Sequence, residues 1–301
     1  MSCIVATDHL TKKYGARTVV EDLNLRVPEG CVYGFLGPNG SGKSTTMKML
    51  LSLVRPSEGE VRIMGRPMTR ATRRQQLGSI GSLIEAPPGY AHLTGRENLR
   101  IVARLLDLHD KQIEFAVQTV RMQGQLDKKV RDYSLGMKQR LGIAMALARQ
   151  PRLLILDEPT NGLDPAGIEE IRDLLRRLAD DGVTVLVSSH LLGEIDKTAT
   201  MLGILSGGRM IFQGTRDELS TASTPDVLIE CSDPRRAQAL LKPGLDVTVA
   251  DGILRVPGLK NQGAAGVVAA LVGERIGVYG VRRDEQTLED VFLSLTEGGG
   301  L

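Results

Sequence analysis

The sequence predicts an α/β core, in which helices alternate with buried strands, followed by a small α+β domain. Three observations carry this. A glycine-rich stretch, GPNGSGKST (Gly37 to Thr45), lies between an apolar run, CVYGFLG, and an apolar helical pattern at Met47, Leu50, Leu51 and Val54. A second apolar run, Leu153 to Leu156, ends on two carboxylates, Asp157 and Glu158. Beyond a polar, Pro-containing stretch, STASTPD (Ser220 to Asp226), the pattern changes to short strands and helices. A chain of 301 residues has room for one large domain and a small second one.

The first strands are expected at 3–8, 22–27 and 31–36, the last leading into the glycine-rich stretch. Gly37, Gly42, Lys43 and Ser44 satisfy G-x-x-x-x-G-K-[ST], the spacing of a phosphate loop. Glycines let successive backbone N–H groups point into one concavity without Cβ clashes. That concavity and the helix N-terminus behind it suit phosphate oxygens. Lys43 would reach the β- and γ-phosphates, and Ser44 Oγ can ligate Mg²⁺. The candidate nucleotide-binding set is therefore Gly37, Pro38, Asn39, Gly40, Ser41, Gly42, Lys43, Ser44 and Thr45. A glycine-rich turn would share the composition but not the spacing, nor the strand and helix on either side.

GEVRIMG (Gly59 to Gly65) reads as an antiparallel edge strand, and residues 94–150 are rich in helical patterns with charged exposed faces. Within YSLGMKQRLGIAMALARQP (Tyr133 to Pro151), Ser134 is a candidate N-cap, and Leu141, Ala144, Met145 and Ala148 recur at helical spacing. Four consecutive apolar residues, Leu153 to Leu156, suit a parallel strand covered on both faces. Asp157 emerges at its C-terminal end, where open α/β sheets place ligands, and is expected to hold Mg²⁺ directly or through water. Glu158 is placed to polarise an attacking water. Phosphoryl transfer asks mainly for positioning and charge stabilisation, so these few groups can suffice. A lone Asp-Glu pair is more often a solvated strand end; the phosphate loop upstream reverses that preference.

A helix from Pro165 to Ala179 and a strand at 183–187 restore the alternation, and Met201 to Gly214 reads as a hairpin about Gly207-Gly208. After the boundary, VLIEC, VTVAD, ILRVP and IGVYGVRR are expected as strands, with helices at 234–242, 261–273 and 286–296. This pattern suits a ferredoxin-like unit. It shows no catalytic constellation, so a packing or dimer-stabilising role is expected for it. The GGGL tail is expected to be disordered.

Basic and acidic residues number 38 and 36, for a net charge of +2. No basic arm or aromatic-interleaved patch points to nucleic acid, and the short cluster Arg70, Arg73, Arg74 reads as a solvated helix face. Cys3, Cys31 and Cys231 are far apart and without metal spacing, which suits a reducing cytoplasm. The first residues lack the charged-then-apolar form of a signal peptide. No stretch approaches the roughly 18–20 apolar residues of a membrane span, so any membrane pathway would lie on another chain.

Taken in this order, the motifs resemble those of ATP-binding cassette (ABC) ATPases over residues 1–220. The resemblance implies an ABC-type P-loop ATPase core over 1–220, with an antiparallel β subdomain and a helical subdomain at about 90–150, and an accessory α+β domain over 221–301. Ser134 and Gly136 match the family's signature motif, whereas Leu135 and Met137 depart from it. Tyr14 matches the aromatic that stacks on adenine, and Asp164, in NGLD, the D-loop. His190, in SSH, matches the switch histidine that senses the γ-phosphate. His9, His92 and His109 have no such setting and read as surface or packing residues.

One departure is more informative. In SIGSLIEAPPGYAHLTGRENL (Ser79 to Leu99), Glu85 stands where the family's Q-loop glutamine is expected. With APP, LTGRENL and SLGMKQR, this resembles the bacitracin- and lantibiotic-resistance branch of ABC exporters. Glu85 becomes a candidate for catalysis and for holding Mg²⁺. A carboxylate can bind the metal and accept from water, but cannot donate as an amide does. The plainer alternative is a solvated loop residue.

The resemblance further implies ATP and Mg²⁺, and a second ABC ATPase chain, here a second copy, whose Ser134 and Gly136 reach the nucleotide held by Lys43 of the first. It implies integral membrane permease subunits on separate chains, touched by Ala86 to Arg96, and a place on the cytoplasmic face of the cell membrane. Drugs or antimicrobial peptides are the implied cargo. TLEDVFLSLT (Thr287 to Thr296) resembles the closing helix of drug-exporter ATPases. A soluble ABC protein of translation or DNA maintenance would usually carry two cassettes or long coiled-coil insertions; one phosphate loop and no sustained heptads argue against it. A non-hydrolysing regulator would be expected to lack Glu158, Ser134 or His190.

Overall fold

The computed structural model describes residues 2–85, 88–195, 197–222, 226–242, 244–284 and 291, without the side chains at 192, 194 and 220–222. Ala86 and Pro87, the GGGL tail and all of the helix expected at 286–296 except Val291 lie outside the described residues. The chain separates into two compact units between Arg216 and Asp217.

The first unit opens with an antiparallel sheet. β1 (Cys3–Tyr14) pairs with β2 (Arg17–Leu23) and with β3 (Arg26–Pro28). The single strand expected at 22–27 is thus broken. Asp22 takes a left-handed φ of 50°. The fully buried Thr7 bridges the gap, its hydroxyl donating to Leu23 O (2.7 Å) and accepting from Leu25 N (2.9 Å). β4 (Val32–Leu36) is wholly buried and leads through the phosphate loop into α1 (Lys43–Leu50). β5 (Glu58–Ile63) joins the other side of β1 and is itself flanked by β6 (Arg66–Pro67). The strand expected at the edge therefore lies one place inside it.

The helical part follows: α2 (Arg73–Leu77), β7 (Ile80–Leu83), α3 (Gly95–Leu106), α4 (Asp110–Thr119), two 3₁₀ turns at 123–125 and 130–132, and α5 (Leu135–Leu147). Thr94 and Glu97 close a capping box on α3, satisfying donors that a helix start leaves free. Then come β8 (Leu153–Leu156), α6 (Pro165–Asp180), β9 (Thr184–Ser189), α7 (Leu192–Ile195), β10 (Met201–Ser206) and β11 (Arg209–Thr215).

The central sheet runs β11-β10-β4-β9-β8-β7, parallel throughout except for β11 at one edge. Leu83, Leu156 and Val187 sit side by side in register, and Leu36 pairs with Ser189. The loops leaving β4, β7, β8 and β9 therefore emerge along one margin of the sheet. Tyr33, fully buried on β4, donates to Gln213 Oε1 on β11 (2.8 Å), and the Arg26 amide on β3 donates to the same oxygen (2.8 Å). Gly203 is required beneath that phenol, since a Cβ there would lie 2.3 Å from Tyr33 Oη.

α8 (Arg216–Ala222) begins at the boundary. The second unit continues with β12 (Val227–Cys231), α9 (Pro234–Leu241), β13 (Thr248–Ala250), β14 (Ile253–Val256), α10 (Asn261–Gly273) and β15 (Val278–Arg283). Its antiparallel sheet is ordered β13-β14-β12-β15. A β-α-β-β-α-β chain in that order is the ferredoxin-like arrangement. Val227, Ile229, Leu254, Val256 and Leu271 fill a core of its own.

Candidate active site

The phosphate loop is built by backbone needs that only glycine meets. Gly37 has φ 153°, and a Cβ there would fall 2.2 Å from Leu205 O; at Gly42, φ is 106° and the Cβ would fall 2.7 Å from Val19 O. Thr46 is the first α1 residue whose N–H returns to a carbonyl, Gly42 O at 2.9 Å. The N–H groups of Lys43, Ser44 and Thr45 have no helical carbonyl behind them and face the loop's concavity. Pro38, Asn39 and Gly40 form its exposed rim, and Ser41 and Lys43 are buried.

Lys43 Nζ donates to Gly37 O (2.7 Å) and Pro38 O (3.3 Å) and lies 3.6 Å from Glu158 Oε1. Burial pushes its amine below the ordinary lysine value, opposed by the nearby carboxylates of Glu158 and Asp157. Ser41 Oγ is buried without a hydrogen-bond partner in the described structure. An orphaned hydroxyl beside a ring of free backbone donors is the environment that a polyanionic phosphate would complete.

The carboxylates follow β8. Asp157 is buried, and its Oδ1 accepts from Ser188 Oγ at 2.6 Å. The same hydroxyl accepts from the Glu158 amide at 2.9 Å, so Ser188 ties the end of β8 to β9. Glu158 takes a left-handed φ of 49°. Its Oε2 lies 2.7 Å from His190 Nδ1. A carboxylate can only accept, so Nδ1 carries the hydrogen.

Glu85 follows β7, also with a positive φ (66°), and pairs with Lys48 on α1. That carboxylate raises the Lys48 pKa, chiefly through the hydrogen bond. Glu85 lines a cavity of about 470 Å³ together with Leu135, Gln139, Asp157, Glu158, Asn161 and Gly162.

The remaining predicted residues lie elsewhere. Ser134 caps α5, accepting from Met137 N at 3.2 Å, and Asp164 caps α6, accepting from Gly167 N at 3.2 Å. With Gly136 they line a different groove, of about 610 Å³, whose walls include none of Gly37–Thr45. Tyr14 is half exposed at the end of β1, with Lys12 Nζ 4.7 Å from its ring centre. His9, His92 and His109 are exposed. Sequence reasoning singled out neither Ser188 nor Lys48 nor Gln139, whose buried Oε1 has no partner in the described structure. Ser188 could have been found as the first polar residue after VTVLV; Lys48 carried no signal, because its partner is 37 residues away.

A family model described as ABC transporter matches residues 20–161. The chain is 41% identical to the bacitracin transport ATP-binding protein BcrA of Bacillus licheniformis, over 99% of both chains. The chain belongs to the ABC transporter family. It is also 42% identical to the lantibiotic transport ATP-binding protein SrtF of Streptococcus pyogenes, over 69% of this chain and 90% of that one. Among solved structures, it resembles the dimeric post-hydrolysis state of the ATP-binding cassette MJ0796 bound to ADP and Pi. There the TM-score is 0.62 at 26% identity, covering 70% of this chain and 98% of that one. Like those relatives, this ABC chain is an ATP-binding subunit, and it is an ATPase. Among its described residues, no helix is long and apolar enough to cross a membrane.

Proposed function

We propose that this ABC ATPase powers export of antimicrobial peptides of the bacitracin or lantibiotic type, as a homodimer on the cytoplasmic face of the membrane, docked on a separate permease. One observation carries the reading of cargo. The chain matches a bacitracin transport ATP-binding protein end to end, and the carboxylate that distinguishes its loop, Glu85, lines the cavity that also holds Asp157 and Glu158.

The residues divide the chemistry. The loop amides and Lys43 bind and orient the phosphates of ATP. Glu158 accepts the proton of the attacking water; the water oxygen bonds to the γ-phosphorus as the bond to the β,γ-bridging oxygen breaks, and ADP leaves with that electron pair. His190 holds Glu158 by the Nδ1–H bond; its Nε2 would donate to the γ-phosphate only as the protonated imidazolium, in which both ring nitrogens carry hydrogen. Ser44 and Asp157 would hold Mg²⁺, with Glu85 as a further oxygen. Such an ion takes one or two carboxylates and completes its shell with phosphates and water, and the orphaned Ser41 hydroxyl and the buried Asp157 lie at the site where those phosphates would sit. Bound there, Mg²⁺ would neutralise charge developing on the phosphates.

Ser134 and Gly136 line a groove that has none of Gly37–Thr45 in its walls, which supports their use by a second copy. The MJ0796 cassette, solved as a dimer, supports the same reading. The loop from Glu85 to Arg96 would pass nucleotide-driven closure to the permease. The test is growth in bacitracin and in a lantibiotic, with the chain deleted, restored, or restored as Glu158→Gln. Restored tolerance by the wild type alone is expected; equal tolerance in all three strains would overturn the cargo.

A further inference from the structure

Lys48 comes five residues after Lys43, on a helix that cannot shift easily. Met47, Met49 and Leu50 anchor α1 in the core on either side of Lys48. Lys48, like Ser44 and Thr45, is not buried; its side chain is about one-third exposed, and its Nζ meets Glu85 Oε1. Glu85 is the reverse case: two-thirds exposed, on a loop, in a left-handed conformation that a non-glycine residue holds only when its surroundings impose it. A rigid cation therefore pins a strained, exposed carboxylate beside Asp157 and Glu158.

The charge balance points the same way. A carboxylate at position 85 adds negative charge to a cavity that already holds Asp157 and Glu158, the latter 3.6 Å from Lys43 of the phosphate loop. A glutamine there would not. We propose that Lys48 is the positioning residue and counter-charge of Glu85, the cation that allows a carboxylate to stand in this loop without repelling the nucleotide. This rests on the reading of Glu85 as a loop carboxylate that acts in turnover. Lys48 holds the side chain at the margin of the sheet and offsets its charge; the pair is largely exposed, so it adds little to stability and its effect is read in turnover.

The test is a double-mutant cycle in the full-length chain with its permease. Lys48→Met should lower kcat for ATP about tenfold with KM changed less than about twofold, while Lys48→Arg keeps most of the rate. In the Glu85→Gln background, Lys48→Met should cost less than about twofold, because the group it serves is gone. A second readout needs no turnover. In nucleotide-free protein, amide exchange at 83–85 should quicken about two- to threefold in Lys48→Met but not in Lys48→Arg. Losses that multiply in the double variant would overturn the proposal, since Lys48 would then act independently of Glu85. So would a Lys48→Met protein at wild-type rate and exchange while Glu85→Gln is impaired. If Glu85→Gln itself turns over normally, the reading of Glu85 fails first and this proposal with it.

Discussion

Ser188 does two jobs with one hydroxyl. It donates to the buried Asp157 and accepts from the amide of Glu158, whose backbone is held in a left-handed conformation. Removing it leaves a buried carboxylate oxygen and a backbone N–H without partners. Ser188→Ala should therefore cost about 1–3 kcal/mol of stability, read as a lower urea midpoint, as well as lowering kcat. Glu158→Gln keeps the shape but not the proton acceptor. It should lower turnover about 10²–10⁴-fold while ATP still binds, whereas Lys43→Ala weakens binding and turnover together. Near-normal hydrolysis by Glu158→Gln would remove Glu158 from the reaction. A control away from the site is Cys31, whose thiol burial pushes up to about 11. At pH 8 iodoacetamide should leave it intact in the folded chain and modify it once urea unfolds the protein, as a mass spectrum would show.

α5 is set against β7 by glycines on both elements. A Cβ at Gly81 would lie 2.3 Å from Ala146 O, a backbone atom that cannot yield. A Cβ at Gly142 would meet Leu83 Cδ1 at 3.0 Å and Pro88 Cδ at 3.2 Å. The leucine tip can swing aside. Gly81→Ala should therefore destabilise by about 1–3 kcal/mol, a fall in melting temperature of some 2–4 °C per kcal/mol, and Gly142→Ala by clearly less. Equal melting temperatures for the two would mean that the helix is not seated through β7. The contact matters because α5 carries the signature residues Ser134 and Gly136 at its start, while β7 leads directly to Glu85.

The groove holding Ser134, Gly136 and Asp164 is walled by residues other than the phosphate loop. The proposed shared site would join that groove of one copy to the phosphate loop of another. Glu158→Gln protein, which binds but does not hydrolyse, should run as a dimer on a sizing column with ATP and Mg²⁺ at raised protein concentration, and as a monomer without nucleotide. An ATP-bound species that stays monomeric at every concentration would rule out the shared site. The second unit carries its own core of Val227, Ile229, Leu254, Val256 and Leu271.

The phosphate loop and the strand ending in Asp157 and Glu158 were legible in the sequence because their signals are local. Spacing of glycines, a run of apolar residues and the carboxylates that follow it lie within a few residues of each other. The β-α-β-β-α-β order after residue 226 was legible for the same reason. Pairings across long separations were not. Thr7 breaks a predicted strand by bonding to residues 16 and 18 positions away, Ser188 reaches Asp157 across 31, and Lys48 meets Glu85 across 37. Each joins groups that are ordinary where they stand in the chain. The antiparallel pairing of β1 with β2 and β3 decided the first, and the parallel register, which brings the ends of β4, β7, β8 and β9 to one margin of the sheet, decided the other two.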